Sequence, residues 1–262
     1  MLTRILALLL LTAATASAQN AADIVLGHFL PYGQLEAKLD SRTLDDAEMF
    51  FSDRAGAYLL TSSAFDQPLL IDTRSRKVNS VDAAKLRRNG NGTVDLLVGA
   101  VAAEVGPFEV GASRLTIALA GGTLTMAPKP PLLGAQTAAA LEAHDPSYAY
   151  TAGLYPPSES VLAELRQETR DVAVRVYFGS WCSTCSRVVP WLLRVDRALA
   201  GSRIRFEYYG LPPAMDDPEA FRANVDGVPT MVVTVGGREI GRRAAPDLGV
   251  PEKALLEILG GG

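Results

Sequence analysis

Val172-Ala173-Val174-Arg175-Val176-Tyr177-Phe178-Gly179-Ser180-Trp181-Cys182-Ser183-Thr184-Cys185 is the stretch that decides how this chain is read. Its first seven residues are nearly unbroken apolar sequence, the pattern of a central strand covered on both faces. From Cys182 to about Ala200 the period changes. Cys185, Val188, Leu192, Val195 and Leu199 recur at helical spacing, so a strand runs into a long helix across the two cysteines. Cysteines three apart at a helix start share one face and can close a small disulfide ring. Cys182 falls at the positive helix end, where free N–H groups and the dipole favour a thiolate. Cys185, one turn inside, is shielded and suits the resolving role.

Outward from this junction the periods alternate. Val161, Leu162 and Leu165 share one face of a helix that can begin at Ser158. Ile204, Phe206 and Tyr208 alternate as a strand, Asp217 to Val225 fits a helix, and Met231 to Val235 is a further strand. Gly236-Gly237 turns the chain back into Glu239-Ile240-Gly241, and Pro251 opens a closing helix through Leu255, Ile258 and Leu259. Residues 158–262 therefore read as an α/β domain. Upstream, Pro128, Pro130 and Pro131 begin a proline-containing linker over 128–157, with a short helix at Gln136 to Ala143 and a connection from His144 to Pro157. Residues 19–127 read as a small β-rich domain. Its strands are Ala57 to Leu60, Leu69 to Ile71, Thr93 to Leu97, Phe108 to Val110 and a Leu115 to Met126 hairpin turned by Gly121-Gly122. Gln34 to Leu39 and Asp45 to Phe51 carry some helical character and stay ambiguous. Asn89-Gly90-Asn91-Gly92 is a turn; it lacks the Lys-Ser/Thr pair and following helix of a phosphate loop.

Trp181-Cys182-Ser183-Thr184-Cys185, preceded by Phe178-Gly179-Ser180 and followed by Pro190 and by Gly227-Val228-Pro229-Thr230, resembles the thioredoxin superfamily over roughly Ser158 to Gly262. It is especially similar to periplasmic members that carry Trp-Cys-x-x-Cys. The resemblance implies a thioredoxin fold and a thiol–disulfide oxidoreductase with Cys182 and Cys185 as its catalytic pair. It implies further that Pro229 is cis and packed beside the disulfide, that the Val228 backbone pairs with an extended substrate, and that Pro190 kinks the helix. Trp181 is a substrate-binding candidate or a half-buried packing residue. The family's buried acid, six residues before the first cysteine, is replaced by Val176. Glu207 on the next strand is the candidate proton acceptor in its place, against the simpler reading of a solvated side chain. Ser183-Thr184 is neither the Gly-Pro of a general reductase nor the histidine-containing pair of a strong oxidant.

Other uses of two cysteines are weaker. A structural zinc site needs four ligands, and the chain has only two histidines, His28 and His144, far apart. A copper-delivery relative would want a wider cysteine spacing and a histidine late in the chain. A purely structural disulfide across so small a loop stabilises little. No metal and no cofactor are expected. Of 262 residues 48% are apolar and 21% charged, which excludes a largely disordered chain, and a formal charge of −4 argues against nucleic acid as a partner. Arg4, the apolar run Ile5 to Leu11 and Ala16-Ser17-Ala18 read as a secretory signal peptide over 1–18, with nothing membrane-spanning after its removal. The expectation is an exported, periplasmic-type enzyme acting on protein thiols and disulfides as reductase or isomerase, with a membrane thiol carrier as the candidate electron donor. The competing reading is a partner-binding module that uses the β-rich domain and keeps only a minor or regulatory redox pair.

Overall fold

The computed structural model describes residues 24–261, so the leader assigned to 1–18 lies outside the described residues. The first strands are β1 (Ile24–Pro31), β2 (Leu35–Leu39), β3 (Arg42–Thr43), β4 (Glu48–Ser52), β5 (Ala57–Thr61) and β6 (Leu69–Asp72). They continue through β7 (Lys77–Val81), β8 (Leu86–Arg88), β9 (Val94–Leu97), β10 (Val101–Val110), β11 (Leu115–Leu119) and β12 (Gly122–Pro128). All twelve join one sheet in the order β3-β2-β12-β11-β10-β7-β6-β5-β4-β1-β9-β8. Adjacent residues of the central strands serve two cores. Leu60, Leu69 and Ile71 pack with Phe108, Ile117, Leu124 and Met126. Leu59 and Leu70 pack with Phe29, Val94 and Leu96 on the opposite side. Both faces of β5 and β6 are thus covered, which is why Leu59-Leu60 and Leu69-Leu70-Ile71 are continuous apolar runs.

Two segments with helical character are strands. β2 is held between β3 and β12, and β4 between β1 and β5, in antiparallel ladders. The β2–β12 ladder joins residues more than eighty positions apart, and β2–β3 and β4–β5 are hairpins; together these ladders outweigh local propensity. Asn89 to Gly92 is the turn between β8 and β9, with the Asn89 amide donating to Thr93 and Asp95.

Beyond Pro128 come β13 (Gly134–Gln136), α1 (Ala138–His144), α2 (Ser147–Leu154), α3 (Glu159–Leu165), β14 (Val172–Phe178) and α4 (Cys185–Ala198). β15 (Ile204–Gly210), α5 (Pro218–Arg222), β16 (Thr230–Val235), β17 (Arg238–Ala244) and α6 (Pro251–Gly260) complete the chain. The second sheet has the order β13-β15-β14-β16-β17; β14 lies parallel to β15 and antiparallel to β16. This is a mixed α/β unit, as the sequence expects. Val172, Val174, Val176 and Phe178 point into a core shared with Val188, Leu192 and Leu193 of α4 and Leu255 and Ile258 of α6. Tyr177 points the other way, to Ala220 of α5 and Val232 of β16. The stretch read as a connection, His144 to Pro157, contains α2, whose Tyr148 and Ala152 are buried. Its signal was masked by Pro146, Pro156 and Pro157. Among the described residues no helix is long and apolar enough to cross a membrane.

The two sheets meet at a close contact. The Lys129 ammonium donates to the His144 carbonyl at 2.6 Å, and Gly33 lies so close to Asp145 that a Cβ would stand 2.5 Å from the Asp145 Cα. A cavity of about 680 Å³ opens beside this contact, lined by Tyr32, Phe50, Lys129, Leu132 and His144.

Candidate redox site

β14 ends at Phe178 and the chain turns through Gly179 to Thr184 into α4. The Cys182 N–H donates to the Gly179 carbonyl at 3.0 Å, and the Ser186 N–H donates to the Cys182 carbonyl at 3.0 Å. Cys182 therefore opens the helical hydrogen-bond pattern, although regular helix runs from Cys185. Both cysteines are free thiols; Cys182 is half-buried and Cys185 is fully enclosed. The Cys185 N–H, an amide of the first turn with no helical carbonyl partner, donates to the Cys182 Sγ at 3.3 Å. The inner sulfur accepts from the Gly179 N–H at 3.5 Å. Burial, reinforced by the neighbouring Cys182, pushes the Cys185 thiol well above its ordinary range. An outer, hydrogen-bonded sulfur and an inner, protonated one can cycle between dithiol and disulfide.

Three of the residues named from sequence gather around this pair. The Cys182 thiol stands 3.7 Å from the Val228 carbonyl oxygen. The Val228–Pro229 peptide is cis, and the Pro229 carbonyl accepts from the Ala245 N–H at 3.1 Å, tying the loop after β17 to this corner. The Trp181 indole N–H donates to the Leu211 carbonyl at 2.8 Å while 41% of the residue stays exposed. Its ring lies over Gly179, where a Cβ would come within 2.5 Å of it. Pro190 is buried inside α4.

Glu207 is not with them. It pairs across the parallel register with Arg175, whose guanidinium donates to its carboxylate at 2.7 and 2.9 Å and to Glu219 at 2.7 Å. Ile204, Phe206 and Tyr208 turn toward the core that holds Cys185, so the alternating Glu207 emerges on the opposite face. It is a surface ion-pair residue, not a proton acceptor for the cysteines. Tyr148 of α2 is buried in the same core as Cys185. Its hydroxyl is held protonated by burial first, then by the charges of Asp145, Cys185 and Cys182. Sequence reasoning also missed Ser180, whose hydroxyl accepts the Leu132 N–H at 3.0 Å and fastens the segment before β13 to the motif. Ser180 directly precedes Trp181 of the cysteine motif; nothing in the sequence marks Leu132, Leu211 or Tyr148.

The histidines are elsewhere. The His28 N–H donates to Asp95, and His144 is half-buried at the junction, where burial and Lys129 lower its pKa. Among the described residues no three His, Cys, Asp or Glu side chains gather to hold a metal.

No protein-family model matches the chain, and no curated protein matches it. Among solved structures, a protein of unknown function from Pseudomonas aeruginosa is similar at 16% identity and a TM-score of 0.40, over 49% of this chain and 93% of that one. Mitochondrial thioredoxin 3 from Saccharomyces cerevisiae, in its oxidised form, is similar at 23% identity and a TM-score of 0.29, over 37% of this chain and 89% of its own. A thioredoxin from Trypanosoma brucei brucei is similar at 16% identity and a TM-score of 0.27, over 40% and 88% of the two chains.

Proposed function

We propose that this chain is an exported thiol–disulfide oxidoreductase that exchanges disulfides with the thiols of other exported proteins, as a reductase or isomerase. The asymmetry of the cysteine pair carries the reading. Cys182 is reachable and its sulfur accepts an amide hydrogen bond, while Cys185 is enclosed one turn behind it. In the reducing direction the Cys182 thiolate attacks one sulfur of a substrate disulfide. That bond breaks, a Cys182–substrate disulfide forms, and the departing substrate thiolate takes a proton from water. Cys185 then attacks the Cys182 sulfur, with the Gly179 N–H donating to the developing thiolate and the Cys185 proton passing through solvent to the departing substrate sulfur. The mixed disulfide breaks and the second substrate thiol leaves. The substrate has gained two electrons and the protein has lost two as a Cys182–Cys185 disulfide. In isomerisation a second substrate thiol resolves the mixed disulfide instead.

Trp181, Val228 and Pro229 form the surface against which substrate lies. Export rests on the leader sequence at 1–18. In an oxidising compartment a dithiol donor must return the pair to its reduced state, and a membrane thiol carrier fits that need. Ser183-Thr184 brings no cation beside the thiolate, so the potential should be well below the roughly −120 mV of the strongest oxidants. Equilibration of the pair with glutathione measures it, and a value as positive as those oxidants would make disulfide formation the function.

Reduction of insulin by dithiothreitol tests the proposal. The full chain should accelerate it, and Cys182→Ser should remove the acceleration. A chain with intact cysteines that does no better than buffer would favour the second reading, a partner-binding module. That reading has the junction cavity of about 680 Å³ in its support.

A further inference from the structure

A second, smaller cavity of about 250 Å³ lies beside the cysteine motif, lined by Thr184, Arg187, Val188, Trp191, Pro246 and Gly249 among others. Thr184 sits between the cysteines, and the opposite wall is the loop whose Ala245 N–H is bound to the Pro229 carbonyl. The cavity therefore continues the surface around Cys182. Its one charged wall residue is Arg187, which is exposed. Of the twelve arginines from 158 onward, nine lie within 4.0 Å of a carboxylate. Arg187, Arg194 and Arg238 have no such partner among the described residues. Arg187 and Arg194 are seven apart on α4, hence on one face, with Trp191 between them and stacked on Tyr155 at 5.2 Å. Asp247 is in the facing loop but is not within ion-pair distance of Arg187.

The geometry points to Arg187 as the residue that selects the substrate: it favours polypeptides with acidic residues beside the reacting cysteine, and Arg194 extends the preference along the helix. This rests on the oxidoreductase reading above. A polypeptide disulfide held against Val228 and Pro229 has one flank beside the cavity between Thr184 and Pro246, where Arg187 stands. An acidic side chain there meets a guanidinium that has no internal carboxylate to give up.

The test uses two peptide disulfides that differ only in flanking Glu or Lys residues, with kcat/KM measured for the full chain at low salt. The unmodified protein should prefer the acidic peptide about two- to fivefold, the worth of one exposed ion pair, and the preference should shrink as salt is added. Arg187→Gln should bring the ratio toward one, and Arg187→Glu should invert it. Exchange with both peptides at a ratio that is the same in all three proteins would overturn the inference and leave the oxidoreductase reading standing. A correctly folded, unmodified chain that exchanges with neither peptide would overturn both.

Discussion

At Cys185 the enclosing core decides the chemistry. The residue is 0% exposed, whereas Cys182 is half-buried at the mouth of the motif. Iodoacetamide should therefore label Cys182 first in the reduced chain, and mass mapping should find Cys185 modified only on unfolding. Equal labelling would contradict the asymmetry. The raised Cys185 pKa also links stability to pH. A thiol whose folded pKa is raised contributes stability that is complete below its unfolded value, about 8.5, and is lost as pH rises toward the folded value. Denaturant unfolding of the reduced chain should show this loss above about pH 8.5, and Cys185→Ala should lack that part of it. Gly179 is fixed by a close approach rather than by its own dihedrals. Its missing Cβ leaves room for the Trp181 ring. Gly179→Ala should cost about 1–3 kcal/mol by overpacking and alter Trp181 fluorescence, together with the exchange rate.

The strand–helix junction was the most legible element because each side carries its own period. β14 spans the residues read as a strand, Val172–Phe178, and the α4 stripe from Cys185 to Leu199 is buried throughout. Leu192→Ala, at the centre of that stripe, should cost about 2–5 kcal/mol in denaturant melts. At α5 the Asp217 carboxylate accepts from the Glu219 and Ala220 N–H groups at 2.8 and 3.1 Å, so Asp217→Ala should cost about 1 kcal/mol. Other elements were hidden for physical reasons. β2 is held between β3 and β12, and the β12 partner, more than eighty residues away in register at Lys38 and Thr125, lies in no local window. α2 is short and flanked by prolines. Glu207 was misplaced because alternation along β15 does not say which face meets α4 until the parallel register with β14 is known. The cysteine pair, Val228 and Pro229 were legible because they belong to a motif; Ser180 and Tyr148 act through chain segments the motif does not contain.

The whole molecule couples a twelve-stranded sheet to the α/β unit through a contact that leaves little room. Gly33→Ala would push its Cβ against the Asp145 backbone and part the two units. Overpacking worth about 1–3 kcal/mol should lower Tm by about 2–10 °C in a calorimetric scan. Exchange by the cysteine pair should survive, since every contact of Cys182 and Cys185 described above comes from the α/β unit. A Tm unchanged by the substitution would show the junction to be loose. The central claim, that Cys182 is the attacking thiol and Cys185 its resolver, is tested most directly by trapping. Cys185→Ala chain incubated with an extract of exported proteins should accumulate mixed disulfides that map to Cys182 and dissolve in dithiothreitol. Absence of such adducts, or their equal appearance with the Cys182→Ser/Cys185→Ala double variant, would contradict it.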